Sequence, residues 1–217
     1  MTTSRDSVNG ADWQRLVLAA ADSLEEHADE LSRLDAALGD GDHGVNVSVA
    51  MSYARREVAA LDDPLPGEVM AVVALSFLDE MGGAAGALFG SFFRSISRSF
   101  GGASAISTVQ LADAIETGTS VVQRRGRSEP GDKTMVDALA AAATAGRRAA
   151  DEALPIRDAL DAVAIAARQG AEATTAMTAS RGRSRYAEGR SIGIQDAGAT
   201  TVAILFEAWV SASKEGM

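Results

Sequence analysis

The fold class is decided by the stretch KTMVDALAAAATAGRRA, residues 133–149. It is dense in alanine, the residue with the highest helix propensity, and it contains no alternation of apolar and polar residues that would indicate a strand. The sequence therefore predicts a helix here. Its small side chains would let neighbouring helices approach closely.

Apolar residues recur at helical spacing along the rest of the chain as well. Asp12 is the predicted N-cap of a first helix, and Ser107 is the predicted N-cap of a later one. In a helix after Gly44, Val45, Val49 and Tyr53 share one face. Further helices are predicted over residues 68–81, 84–99, 155–179 and 199–213. With no convincing strand, we expect an all-α protein of about seven or eight helices, forming a single domain over residues 1–217.

Composition excludes several classes of function. The chain has 217 residues, a formal net charge of −10 and no cysteine. The lack of cysteine rules out disulfides, thiolate metal sites and cysteine nucleophiles. The acidic balance argues against nucleic acid and against an anionic membrane surface, since both require clustered Lys and Arg. The longest apolar stretch, residues 69–75, is far short of the roughly 20 residues that span a bilayer, and the polar N-terminus does not resemble a signal peptide. We expect a soluble, cytoplasmic protein.

The most distinctive loop is acidic and rich in glycine. Asp35, Asp40 and Asp42 lie within eight positions and are followed by His43. Because carboxylates this close repel one another, a cation is expected among them, and hard oxygen ligands suit Mg²⁺ or Ca²⁺. The spacing is not that of an EF-hand, so Mg²⁺ completed by phosphate oxygens and water is favoured. The alternative is a helix-terminating loop with capping aspartates, which would explain one or two of the carboxylates.

Two further groups of residues could bind an anion. The run GGAAG (residues 82–86) enters a helix, where backbone N–H groups can bind phosphate, although tight packing of two helices explains the glycines equally well. Basic runs occur at residues 124–127 and 181–185. Either they form a solvated face or their arginines contact a nucleotide phosphate beside the acidic loop. Asp196, just before the last helix, is either an N-cap or a nucleotide contact.

Taken together, the motifs resemble the L subunit of dihydroxyacetone kinases, which is equivalent to the C-terminal nucleotide-binding domain of the single-chain, ATP-dependent enzymes. The similarity is carried, in order, by LDAALGDGDHGVN (residues 34–46), GGAAGALFGSFF (82–93), RGRSEPGDKTMVDAL (125–139) and RGRSRYAEGRSIGIQDAGATT (181–201). It implies an antiparallel barrel of about eight helices that holds a nucleotide and two Mg²⁺ at one end.

The resemblance also implies a role for individual residues. Asp35, Asp40 and Asp42 would be the Mg²⁺ ligands. The other implied residues bind the nucleotide, ADP or ATP: His43, Gly44, Val45, Asn46, Ala84, Ala85, Gly126, Thr134, Met135, Arg183, Asp196, Ala197 and Gly198. Ala85 departs from the commoner family pattern, which has serine there.

The implied partners follow from the same resemblance. A separate K subunit would hold the dihydroxyacetone, and the L subunit would keep ADP as a bound cofactor that a phosphohistidine protein rephosphorylates. A homodimer is a further arrangement that the resemblance allows. The alternatives are an ATP-dependent kinase subunit for a related ketose such as erythrulose, and a nucleotide-loaded partner of a transcription regulator.

Overall fold

A computed structural model describes residues 7–182 and 191–216. Nine α-helices and two short strands lie in these ranges. The helices are α1 (Gly10–Glu26), α2 (Ala28–Ala36), α3 (His43–Ala59), α4 (Pro66–Glu80), α5 (Gly83–Phe100), α6 (Thr108–Gly126), α7 (Met135–Asp151), α8 (Ile156–Ala173) and α9 (Ala197–Gly216), and the strands are β1 (Ser7–Asn9) and β2 (Ala105–Ser107).

Eight of these helices form a closed ring. α1 packs against α3, each later helix packs against the next, and α9 returns to α1. Successive neighbours are joined by connections that return the chain, so they run antiparallel. α2 follows α1 after His27 and packs on the outside against α3 and α9. The prediction of an all-α fold is thereby confirmed, as an antiparallel helical barrel.

Large apolar side chains fill the barrel. Trp13 and Trp209 meet edge to face with ring centroids 5.1 Å apart, and Phe77 stacks on Phe93 at 5.5 Å. All four side chains are buried. Such aromatic pairs add stability beyond the area that they bury, and they fix α1 to α9 and α4 to α5.

Side-chain caps define the beginnings of α1 and α6. Asn9 caps α1 by accepting the Asp12 N–H at 2.9 Å, while the Asp12 carboxylate accepts the Asn9 N–H at 3.0 Å. Asp12 is therefore the third residue of α1 and not its N-cap, as the sequence had suggested. The predicted cap Ser107 is confirmed at α6. A reciprocal cap of this kind satisfies two backbone donors that the helix itself leaves unpaired.

The expectation of no strand is wrong for two short segments. β1 pairs antiparallel with β2, and Val8 lies opposite Ile106. With three residues each, these strands are too short to show an alternating pattern.

The apolar face predicted for α3 is present, but it is exposed. Val45, Val49 and Tyr53 are exposed, whereas the opposite face is buried. Its residues include Val47, Ala50, Met51 and Ala54. Both faces have helical spacing, and the buried one contains alanines that let α3 approach its neighbours.

The up-and-down order of the ring places alternate connections at the same end. The α2–α3, α4–α5, α6–α7 and α8–α9 connections lie at one end, called here the open end. β1, β2 and the α3–α4, α5–α6 and α7–α8 connections lie at the other, the closed end. Within the described ranges the structure contains no helix that is long and apolar enough to cross a membrane.

Candidate functional site

A cavity of about 810 Å³ occupies the open end of the barrel. This volume falls in the range of small-molecule and cofactor sites. Residues from all four open-end connections line it, so sequence segments more than 150 positions apart meet there. Its lining includes these predicted site residues: Asp35, Asp42, His43, Asn46, Ala84, Ala85, Gly126, Thr134, Met135, Asp196, Ala197 and Gly198.

Four other predicted residues have different placements. Asp40 lies in one cluster with Asp35 and Asp42. Gly44 is buried against α2, and a Cβ there would lie 1.9 Å from the Ala28 carbonyl oxygen. Val45 is exposed on the outer face of α3. Arg183 lies outside the described residues.

The three aspartates come together at the edge of the cavity. One carboxylate oxygen from each of Asp35, Asp40 and Asp42 lies within 4.8 Å of the others. Two backbone groups hold the Asp35 carboxylate in place: it accepts hydrogen bonds from the Gly41 N–H at 2.9 Å and the His43 N–H at 3.4 Å. Oxygen atoms gathered in this way fit a hard divalent cation.

His43, the first residue of α3, is buried beside this cluster. Its Nε2 lies 2.8 Å from the hydroxyl oxygen of Thr201, and that hydroxyl donates to the Ala197 carbonyl. Since the hydroxyl proton is already used, Nε2 carries the proton and donates to Thr201. Burial lowers the pKa of His43, and the Asp35 charge opposes this shift. His43 is therefore a neutral group that links the start of α3 to α9.

The first turn of α5 faces the same cavity. Gly82 is the N-cap, Gly83 has a φ of +72°, and Ala84 and Ala85 follow within the first turn. A Cβ at Gly82 or Gly83 would meet no atom within 4 Å. Helix packing therefore does not account for these two glycines. The backbone N–H groups of this turn lie where an anion could approach them.

A buried lysine and two aspartates form a second charged cluster, which the sequence did not indicate. Lys133 is 1% exposed and donates hydrogen bonds from Nζ to the carbonyl oxygens of Thr174 and Ile194. Burial lowers its pKa, while Asp196 and Asp137 oppose the shift. Nothing local distinguishes Lys133 from a solvated lysine, because its burial results from the chain returning after α8.

Asp196 combines the two roles considered for it. Its carboxylate accepts the Ala199 N–H at 2.8 Å and so caps α9, and the residue also lines the cavity. Burial raises the pKa of Asp196 to about 6, and the Asp137 and Asp35 charges contribute in the same direction. The carboxyl group therefore accepts a proton more readily than an ordinary aspartate.

Arginine side chains reach the cavity from both basic runs. Arg125 and Arg181 line it. Asp132 accepts hydrogen bonds from the Ser180 hydroxyl and from Arg181 Nε, the latter at 3.3 Å. The Ser180 hydroxyl is the main cause of a lowered pKa for Asp132. Two arginines and the acidic cluster thus meet at one cavity.

Comparison with known proteins agrees with this arrangement. The model of the DAK2 domain family matches residues 37–211. The chain is 32% identical over 194 residues to the ADP-binding subunit DhaL of the PEP-dependent dihydroxyacetone kinase of Escherichia coli, covering 89% of this chain and 92% of that one. It is 36% identical over 182 residues to the L-erythrulose 1-kinase of Mycolicibacterium smegmatis, covering 82% of this chain and 31% of that one.

The solved dihydroxyacetone kinase of C. freundii has a similar fold. Its native form aligns with a TM-score of 0.69 and 26% identity, covering 97% of this chain. Its complex with AMP-PNP and Mg²⁺ aligns with a TM-score of 0.72 and 24% identity. The chain spans 36% of that enzyme's length.

Proposed function

The chain belongs to the DAK2 domain family, and we propose that it is the nucleotide- and Mg²⁺-binding subunit of a dihydroxyacetone kinase. The observation that carries the proposal is the meeting of the acidic cluster and the first turn of α5 at one cavity. Hard oxygen ligands beside backbone N–H donors suit a metal-bound polyphosphate.

In this proposal each side of the cavity has a separate task. Asp35, Asp40 and Asp42 hold two Mg²⁺. The bound metal would neutralise the negative charge of the β- and γ-phosphates during transfer. The N–H groups near Ala84 and Ala85 bind phosphate oxygens, and neutral His43 keeps the start of α3 fixed against α9. These residues act by positioning and by charge, which are the main requirements of phosphoryl transfer.

Six further predicted residues complete the proposed nucleotide site. Gly126 and Met135 frame the base, with Thr134 beside them. Asp196, Ala197 and Gly198 close the side of the cavity formed by the start of α9. Arg183 is proposed as a further nucleotide contact, on the resemblance alone.

The acceptor sugar is proposed to reside on another protein. Residues 1–217 would act as a single nucleotide-binding domain, and a K subunit would hold the dihydroxyacetone. Relatives named as ADP-binding subunits of a PEP-dependent kinase support ADP as a bound cofactor. A phosphohistidine protein would rephosphorylate it. A homodimer is compatible with these tasks.

Erythrulose is the second candidate acceptor. The observation that favours it is the 36% identity to an L-erythrulose 1-kinase, which exceeds the 32% identity to the Escherichia coli subunit. In that alternative, ATP binds and leaves in each cycle.

The metal and nucleotide assignment is tested by calorimetry. Asp42→Asn removes one charge from the acidic cluster, and Asp151→Asn makes the same change at the closed end. We expect Asp42→Asn to weaken Mg²⁺-ADP binding by about 100-fold, about 2.7 kcal/mol, while Asp151→Asn binds like the unaltered protein. Equal affinities for the two variants would exclude the acidic cluster as the metal site.

The donor and the acceptor are tested by transfer assays. The purified chain is mixed with a K subunit and either dihydroxyacetone or erythrulose, and then supplied with ATP or with a phosphohistidine protein. The proposal predicts phosphorylation of dihydroxyacetone with the phosphohistidine donor, by protein that retains ADP after purification. Turnover with ATP alone, and faster with erythrulose, would support the second candidate instead.

A further inference from the structure

We propose that Lys133 is a positioning residue of the nucleotide site, whose ammonium group holds the end of α8 and the start of α9 together and so sets where Asp196 lies against the cavity. The inference rests on the nucleotide site proposed above. It concerns a residue to which the family resemblance gave no role.

Hydrogen bonds join the two ends of the α8–α9 connection, and these joined ends are called here its base. The Gly193 N–H donates to the Thr175 carbonyl at 2.8 Å, and the Asp196 N–H donates to the Thr174 hydroxyl at 2.9 Å. Lys133 also binds this base, although it belongs to the α6–α7 connection and lies just before α7. Its Nζ donates to the carbonyls of Thr174 and Ile194, one on each side of the base.

A cation suits this place electrostatically. The Thr174 carbonyl lies at the C-terminal end of α8, where the helix dipole is negative. The Ile194 carbonyl and the Asp196 carboxylate add further negative charge. An ammonium group has three donors that can satisfy several acceptors at once. Without it, the two carbonyl oxygens would lose the donor that they share, in the field of the Asp196 carboxylate.

The position of Lys133 is more demanding than a stabilising role requires. Its side chain is 1% exposed, and its backbone is in the left-handed region with a φ of +61°. Burying a lysine and holding a non-glycine residue in this conformation both oppose folding. Lys133 nevertheless lines the cavity, and its Nζ binds the residue two positions before Asp196. The unfavourable burial and backbone conformation therefore occur at a residue that can position groups facing the nucleotide.

The matched control is Arg168. Its guanidinium group binds both carboxylate oxygens of Glu207, at 2.7 and 2.5 Å, and so also joins α8 to α9. This ion pair lies in the wall of the barrel, and Arg168 is not among the residues that line the cavity. Arg168→Met and Lys133→Met each remove a cation that connects the same two helices, but only Lys133 touches the base of the α8–α9 connection.

The experiment measures Mg²⁺-ADP affinity by calorimetry well below the melting temperature of every variant, where lost stability does not change affinity. We expect Lys133→Met to weaken binding by about tenfold, about 1.4 kcal/mol, and Arg168→Met by less than about twofold. Hydrogen exchange is measured in parallel in the ligand-free proteins. Exchange at the Asp196 and Thr200 N–H groups should be faster in Lys133→Met and unchanged in Arg168→Met.

The two readouts separate the possible failures. Unchanged exchange and affinity in Lys133→Met would overturn the inference, as would equal losses of affinity in both variants. If the unaltered protein does not bind Mg²⁺-ADP, the proposed function fails, and the exchange measurement still tests the positioning role. If Lys133→Met does not fold, Lys133→Gln takes its place in the same comparison with Arg168→Met. Glutamine is uncharged and one atom shorter than lysine, so it should also weaken binding, by between about twofold and tenfold.

Discussion

Gly10 and Gly67 at the closed end of the barrel differ from Gly82 and Gly83 at the open end. At the closed end, a Cβ on Gly10 would lie 1.6 Å from the Pro64 carbonyl oxygen, and one on Gly67 would lie 2.5 Å from the Gly101 carbonyl oxygen. At the open end, a Cβ on Gly82 or Gly83 would meet no atom within 4 Å. Gly10 and Gly67 permit tight packing, as Gly44 does at the open end, whereas Gly82 and Gly83 leave free space beside a helix N-terminus.

The charged groups differ in the same way. At the closed end, the capping boxes of α1 and α6 satisfy backbone groups with ordinary local hydrogen bonds. At the open end, three carboxylates crowd together, and Lys133 and Asp196 have shifted pKa values. One end is built for stability, while the other retains unfavourable charge that a bound cation and nucleotide would relieve.

The largest expected effect is at Gly10. Gly10→Ala forces a methyl group into the Pro64 carbonyl, and overpacking of this kind costs about 3 kcal/mol. The melting temperature should fall by about 6–12 °C, as measured by circular dichroism. Mg²⁺-ADP affinity, measured well below the transition, should stay as it is.

Gly82→Ala is the matched change at the open end. Its backbone, with a φ of −67°, is open to alanine, so stability should change by less than about 0.5 kcal/mol. Nucleotide affinity should fall by about tenfold, because the methyl group occupies space beside the α5 N-terminus. A drop in melting temperature without a change in affinity would reverse the contrast between the two ends.

The next effect is a pH dependence at Asp196. Because burial raises its pKa to about 6 from 3.8, the folded protein binds more protons than the unfolded chain between these values. Its contribution to stability is therefore present below about pH 4 and is lost as the pH rises through 6, about 3 kcal/mol in all.

Asp196→Asn provides the measurement. Asparagine can still accept the Ala199 N–H and cap α9, but it does not titrate. The melting temperature of the ligand-free variant, relative to the unaltered protein, should increase between pH 4 and 6.5. A difference that is constant across this range would contradict the raised pKa.

Local sequence was sufficient for most of the fold and for the acidic cluster. Alanine content and apolar spacing indicated most of the helices, and Asp35, Asp40 and Asp42 lie within eight positions of one another. The helical spacing and the acidic cluster each depend on residues that are close together in the sequence. α3 has two apolar faces with helical spacing, one containing Val45 and one containing Val47. Local sequence does not show which of them is buried, because that depends on which neighbours pack against the helix.

The second charged cluster was beyond local sequence for the same reason. Lys133 binds carbonyls 41 and 61 positions away. Its burial depends on the closure of the ring and not on its neighbours in the chain. The basic runs at Arg125 and Arg181 were recognised as phosphate-binding candidates, but their meeting at one cavity was likewise a property of the fold.

The smallest expected effect is tighter nucleotide binding when Ala85, at the open end, is replaced by serine. This residue lies in the first turn of α5 and lines the cavity, where the commoner family pattern has serine. A hydroxyl there could donate to a phosphate oxygen, alongside the backbone N–H groups that already face the cavity. Net gains from such bonds are modest because water is displaced from both partners, so Ala85→Ser should tighten Mg²⁺-ADP binding by up to about tenfold, about 1.4 kcal/mol. The melting temperature without ligand should change little, since Ala85 is only partly buried and the substitution adds a single oxygen atom. Ala103→Ser, in the α5–α6 connection at the closed end, adds the same hydroxyl away from the cavity and should leave ADP dissociation unaltered.

Stopped-flow release of a fluorescent ADP analogue compares the three proteins. If Ala85→Ser releases the analogue as fast as the unaltered protein, residue 85 does not contact the phosphates, and the contrast between the ends then depends on the acidic cluster and on the Gly82–Gly83 turn alone.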